Sequence, residues 1–316
     1  MEKAKNINIG KILSRYGIYV AFLILFIALS IASPVFLTTT NILNIFRQIS
    51  VIGIISVGML FVILTGGIDL SVGAIVALAA VITTSMIREG SQTPIIVAVF
   101  CGILVGAACG IFSGFFVAKM EVQAFIATLA TMTIARGICY VYTNGRPITG
   151  LKPGYRNIGM GNIGIVPVPV IIYLGIVLIG IFLLNFSKFG RHVIAVGGNE
   201  KAAIVSGIDA VKIKFACHVI SGITAAIAGI VLSARIQTGQ PVAGEGYELD
   251  AITAVVIGGA SLSGGKGSMV GAVVGMLLIG IMTNGLDLLN VSSYYQQVIK
   301  GAIILIAVLT DKMKTK

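Results

Sequence analysis

The sequence predicts an all-α integral membrane protein, a polytopic bundle of about ten transmembrane helices with broken or re-entrant segments. Three observations predict it. Hydrophobic residues make up 57% of the 316-residue chain and mean hydropathy is +1.05, above the roughly 45–50% apolar share of soluble domains. The apolar tracts approach the ~20 residues a helix needs to cross the hydrocarbon, and the ~10-residue alternating segments of a membrane barrel are not seen. Forty glycines, several spaced as Gly102, Gly106 and Gly110 or Gly267, Gly271 and Gly275, let helix backbones approach closely.

Cutting the chain at glycine, proline and charge clusters places the spans near 17–37, 42–65, 68–87, 94–118, 123–142, 165–186, 213–236, 249–263, 268–287 and 292–310. The eighth is short for a full crossing. Lys3, Lys5, Lys11 and Arg15 precede the first span, and Lys312, Lys314 and Lys316 follow the last, so the positive-inside rule places both termini in the cytoplasm. An even number of spans agrees. Lys119, the 188–214 segment and Lys266 then fall inside, and Arg88 and the loop bearing Arg146, Lys152 and Arg156 fall outside. The reading is one transmembrane domain over 1–316, with cytoplasmic tails at 1–16 and 311–316 and a cytoplasmic loop at 187–212. Ser30-Ile31-Ala32 resembles a signal-cleavage site, but the apolar run before it is too long for a signal core.

Several function classes fall away. The net charge of +11 is scattered at helix ends beside lipid headgroups, which argues for membrane lipid and against nucleic acid as a partner. Cys101, Cys109, Cys139 and Cys217 lie within spans without metal-ligand spacing, and His192 and His218 stand alone, so no metal site is expected. Gly159-Met160-Gly161-Asn162-Ile163-Gly164 fits G-x-G-x-x-G but leads into Val166-Pro167-Val168-Pro169 instead of a phosphate-binding helix. Residues 260–267 approach a P-loop but lack its first Gly and its Ser/Thr. No nucleophile stands with a base, so no catalytic residue and no cofactor in this chain are expected.

The informative groups are polar residues at membrane depth. "LTGGIDLSVG", Leu64 to Gly73, interrupts an apolar tract with Gly66-Gly67 and then offers Asp69 and Ser71 where a helix would begin. Such residues either cap a broken helix or line a path. The cap is the favoured reading for Asp69, whose charge also suits a helix N-terminus. "GGASLSGG" repeats Gly-Gly-x-x-Leu-Ser as Gly258, Gly259, Leu262 and Ser263, with Ser261 at the position of Asp69. Paired broken helices of this kind flank the paths of transporters.

"LTGGIDLSVGAIVALAA", "VQAFIATLATMTIARG", "VYTNGRPI", "GGNEKAAIVSGI", "GYELDAITAVVIGGASLSGGKG" and "NGLDLLNVSSYYQQVIKGAIILIAV" together resemble the permease subunits of bacterial ABC sugar importers, from about Ser33 to Asp311. The texture is nearest the ribose type, with galactose, arabinose and xylose permeases sharing much of it. The resemblance implies an inner-membrane pore-forming subunit, usually a homodimer, served outside by a sugar-binding protein. Inside, it implies an ATPase with two nucleotide-binding modules, which holds the ATP and magnesium. Gly198, Asn199, Glu200, Ala202 and Gly207 fall where such permeases carry the loop that docks into the ATPase, although Lys201 precedes the first Ala. A short helix from about Glu200 to Ser206, stopped by Gly207, could present Ala and Ile to a groove and Glu200 to a basic partner; a solvated connector is the plainer alternative.

Two outer segments, Tyr142–Ile165 and Gln237–Glu248, are expected to meet the binding protein through Arg146, Arg156, Glu245 and Glu248, or else to be solvated loops. An ion-coupled secondary sugar transporter stays open as a second class. It would need a relay of ionisable groups within its spans, for which Asp69, Arg136, Asp250 and Lys300 are the candidates.

Overall fold

The computed structural model describes residues 9–315, so the charges on Met1 to Asn8 and on Lys316 lie outside the described residues. The chain runs through α1 (Ile9–Ala32), α2 (Thr39–Leu64), α3 (Val72–Met86), α4 (Ile95–Ala118) and α5 (Ala124–Thr143). A connection containing α6 (Arg156–Met160) and the hairpin β1 (Asn162–Ile163) and β2 (Val166–Pro167) leads to α7 (Val168–Ile181), which continues as a π-helical turn over Phe182–Phe186. Then come α8 (Lys188–Gly198), α9 (Glu200–Val205), α10 (Ala210–Ile236), α11 (Tyr247–Ile257), α12 (Met269–Leu288) and α13 (Ser293–Thr315). Helix therefore enters both stretches read as tails, from Ile9 and up to Thr315.

The helical membrane architecture holds, and part of the expected set of crossings is seen in it. Among the described residues six helices are long and apolar enough to cross: α2, α4, α5, α7 with its π-helical turn, α10 and α12. The third and eighth spans are the clearest corrections. Helix α3 has 15 residues and α11 has 11, about 22 and 16 Å at 1.5 Å per residue, against a hydrocarbon core of about 30 Å. The expected spans run past these helices because the turns before α3 and after α11 carry glycine and few charges, so a hydropathy pattern does not mark where the backbone turns.

Helices α2 and α10 form the centre. The most apolar stretch of α2 is 89% buried, whereas α4, α5 and α7 bury only 22–28% of theirs. A helix apolar on every side belongs in the interior, and the outer helices turn their apolar faces to lipid. The glycine spacing has a direct structural use. Gly106 of α4 and Gly222 of α10 face each other so closely that a Cβ on either would collide with the other's backbone. Gly271 and Gly275 likewise bring α12 against the backbone of α11 at Gly258 and Ala254. At one end of the bundle, Asn41 of α2 and Asn284 of α12 exchange side-chain hydrogen bonds of 3.0 and 2.9 Å.

The α5–α7 connection caps that same end. Buried Tyr155 donates to Ile230 O at 3.0 Å and lies 2.6 Å from Ser233 Oγ, pinning α6 onto α10. Backbone bridges join Arg88 to Leu151 and Ile148 to Gly239. The G-x-G-x-x-G stretch ends in the hairpin turn, with Gly164 at φ +62°.

Candidate functional site

Helices α8 and α9 form the segment at 187–212. Ser187 Oγ accepts from Gly190 N at 3.2 Å to start α8, whose buried face carries Val193 and Val196. Asn199 is extended (φ −160°, ψ 102°) and ends α8 while starting α9, its Oδ1 accepting from Ala202 N at 3.0 Å. Gly207 stops α9 in the left-handed region (φ +82°), with its N–H on Ile204 O at 2.9 Å and that of Ile208 on Ala203 O at 3.0 Å. This is the glycine stop that the sequence predicts. Ala203 is the buried residue of α9; Ile204 and Val205 are 54% and 89% exposed, so an apolar edge faces away from the bundle. Glu200 is exposed and paired within the chain, both its carboxylate oxygens receiving Lys214 Nζ of α10 at 2.6 Å. Beside them Asp209, outside the spans, has its pKa lowered chiefly by the backbone N–H of Lys212 that it accepts.

The end of α8 is wedged between the two glycine motifs. Gly197 sits so close to Leu64 O, at the last turn of α2, that any Cβ there would collide with it. The same carbonyl accepts from Gly265 N at 2.9 Å, and Gly264 and Gly265 lie against the backbone of Gly197, Gly198 and Gly66. The breaks after α2 and α11, about 190 residues apart in sequence, thus meet at one point, and α8 completes it. Gly66, Gly67, Glu200 and Ile204 also line a cleft of about 560 Å³ beside this junction.

Within the motifs, matched residues make matched turns. Asp69 Oδ1 accepts from Ser71 N at 2.9 Å, and Ser261 Oγ accepts from Ser263 N at 3.3 Å. Both are side-chain-to-backbone turns spanning two residues. Asp69 goes further. It is fully buried, its Oδ1 receives the Ser71 hydroxyl at 2.5 Å, and its Oδ2 receives Ser221 Oγ of α10 at 2.7 Å. The N-cap position of α3 is Ser71, without a side-chain cap bond. Asp69 therefore satisfies the chain ahead of the helix and ties it to α10. Thr128 of α5 supports the same segment, its hydroxyl oxygen accepting from Leu70 N at 3.2 Å.

The residues assigned to the outer surface separate into two places. Arg146 and Arg156 are exposed in the α5–α7 connection. Glu245 and Glu248 instead line a cleft with Arg136 of α5, seven residues before that helix ends, about 10 Å along its axis. Glu248 is half-buried against Gly73 at the start of α3, because the 237–246 connector descends into the bundle. Arg136 holds that connector, Nη1 donating to Pro241 O at 2.6 Å and Ala243 O at 3.0 Å. Lys300 of α13 pairs with buried Asp250 of α11 at 2.9 Å.

Ser221, Thr128, Gly197 and Lys214 escape a reading of the sequence. Each is a common residue in an ordinary helix, and its partner lies 14 to 152 positions away. Only the Gly-Gly pair of Gly197-Gly198 hints at a close approach.

Residues 41–308 match the sequence family described as branched-chain amino acid transport system / permease component. The chain is 47% identical to a ribose import permease protein of Bacillus subtilis, covering 98% of this chain and 97% of that one. It is 47% identical to a ribose import permease protein of Escherichia coli, over 93% of this chain and 92% of the relative. An L-arabinose transport system permease protein of Escherichia coli is 39% identical, over 98% and 94%. No solved structure matches. With a family match over most of its length and relatives this similar, the chain belongs to that family of transport-system permease components and is a membrane transport protein, not an enzyme.

Proposed function

We propose that this chain is the membrane-spanning subunit of an ATP-driven ABC importer that admits a monosaccharide, ribose, handed over by an extracytoplasmic binding protein. The observation that carries the mechanism is the seating of α8 on both glycine breaks at once. A partner ATPase that grips the exposed edge of α9 would move α8, and α8 touches the last turn of α2 and the loop from which α12 begins. Coupling needs a bistable element that the partner can bias, and a junction of backbone contacts among glycines fits that need. The ATPase holds the ATP and magnesium in its two modules, two copies of this chain form the pore, and both termini face the cytoplasm with α8 and α9.

The names of the relatives support ribose as the sugar. The local bonding of the charged groups weighs against an ion-coupled carrier. Asp69 is bound to Ser71 and Ser221, Asp250 to Lys300, and Arg136 to two carbonyls. None of these is a run of groups passing a proton from one to the next.

The test is D-ribose uptake by proteoliposomes holding the purified permease, ATPase and binding protein. Uptake should require internal ATP and vanish when the ATPase is omitted. Uptake that persists without the ATPase and follows an imposed proton or sodium gradient would overturn the proposal.

A further inference from the structure

The cleft on the exposed side of α5 unites residues that no sequence motif joins. It measures about 470 Å³ and is lined by Thr133, Arg136, Gly137 and Tyr140 of α5, with Met132 beneath, and by Glu245 and Glu248 of the descending connector. That volume lies within the roughly 300–1,000 Å³ of small-molecule sites. We infer that this cleft is a sugar-binding way station within the transport path, in which Glu245 and Glu248 accept hydrogen bonds from the hydroxyls of a neutral monosaccharide.

The polar groups are built into place. Arg136 anchors the connector through the carbonyls of Pro241 and Ala243, which fixes the two glutamates that follow. Neither Glu245 nor Glu248 lies within ion-pair distance of a basic side chain among the described residues; the Glu248 carboxylate accepts from its own backbone N–H and that of Gly246, and a carboxylate's roughly four lone-pair sites leave both glutamates with acceptor capacity. Hydroxyl-to-carboxylate bonds are charge-assisted and stronger than neutral ones. Thr133 gives its proton to Leu129 O at 3.0 Å and keeps its lone pairs. Tyr140, 43% exposed, offers a ring face and a phenol. Two carboxylates against one arginine leave the lining net acidic, which disfavours anions. A neutral polyol or a cation remains, and the polyol is favoured by the mixture of acceptors, phenol and ring. The inference rests on the sugar-permease reading.

Gly137 supplies a reporter, since a Cβ placed there meets nothing within 4 Å. Gly137→Cys would be made in a background with the four native cysteines replaced, and labelled with a hydrophilic thiol reagent in the assembled, reconstituted complex. Saturating D-ribose should slow labelling by about tenfold, sodium chloride at equal osmolarity should leave it unchanged, and adding Glu245→Gln with Glu248→Gln should remove the protection. Protection by sodium but not by ribose would overturn the sugar assignment in favour of a cation. No protection by either, or full protection with both glutamines in place, would also overturn it. Thr133→Cys serves as the reporter if Gly137→Cys fails to reach the membrane. Uptake measured on the same vesicles keeps the two ideas apart: ATP-dependent uptake without ribose protection removes the cleft and leaves the permease reading intact.

Discussion

The two Gly-Gly-x-x-Leu-Ser segments begin from the same local chemistry and end in different structures. Both form a side-chain turn between their fourth and sixth residues, Asp69 to Ser71 and Ser261 to Ser263. After the first, α3 starts at once, at Val72, and the segment is held from outside by Ser221 of α10 and Thr128 of α5. After the second, Gly264 and Gly265 turn in the left-handed region (φ +86° and +73°) and reach α2 and α8 by backbone contact. One break is held by a buried carboxylate, and the other is a glycine turn packed against the segment through which, in the proposed function, the ATPase acts. The Asp/Ser exchange at the fourth residue and the Val/Gly exchange at the seventh separate an anchor from a glycine turn.

The largest effect should come from the point where both breaks meet. Gly197→Val places a branched side chain against Leu64 O and Gly265 N, and overpacking of this kind costs about 1–3 kcal/mol or more. We expect a clear fall in melting temperature of the purified protein and no uptake. A variant of normal stability would mean that the junction opens easily and is no joint at all.

The anchor comes next. Asp69→Ala leaves the Ser221 hydroxyl and the Ser71 N–H without their buried acceptor, a loss of about 1–3 kcal/mol. Asp69→Asn keeps an acceptor oxygen and should retain most stability and near-normal uptake. If melting temperatures of both variants match the parent while uptake is lost in Asn, Asp69 serves the path or the coupling and not the anchor.

The glycine turn should be the least sensitive. Ser261→Ala removes a neutral hydroxyl that accepts, among its contacts, from Ser263 N at 3.3 Å, and should cost about 1 kcal/mol, measured as a small shift in thermal unfolding. A loss equal to that of Asp69→Ala would erase the distinction between the two breaks.

Much of this fold is legible in the sequence where helices end at charge or glycine. The spans expected at 94–118 and 123–142 are Ile95–Ala118 and Ala124–Thr143, and the short helix before Gly207 starts at Glu200. The eighth span is drawn past the end of α11 because 258–263 carries no charge or proline to mark the stop, although the backbone has already turned at Gly258. For the candidate site, the sequence points to both glycine motifs and to the α9 segment but not to their meeting. That contact depends on Gly197 packing against Leu64, a relation with no local signature. Likewise the sequence does not show that the connector bearing Glu245 and Glu248 runs beside Arg136.

If a partner drives the breaks through α9, Val205 lies where that partner would grip. Val205 is 89% exposed, so Val205→Asp should leave this chain's folding intact while spoiling an apolar contact with the ATPase. In reconstituted complex with the ATPase and binding protein, we expect normal membrane abundance and melting temperature with ATP-driven ribose uptake abolished. Normal uptake at normal abundance would contradict it.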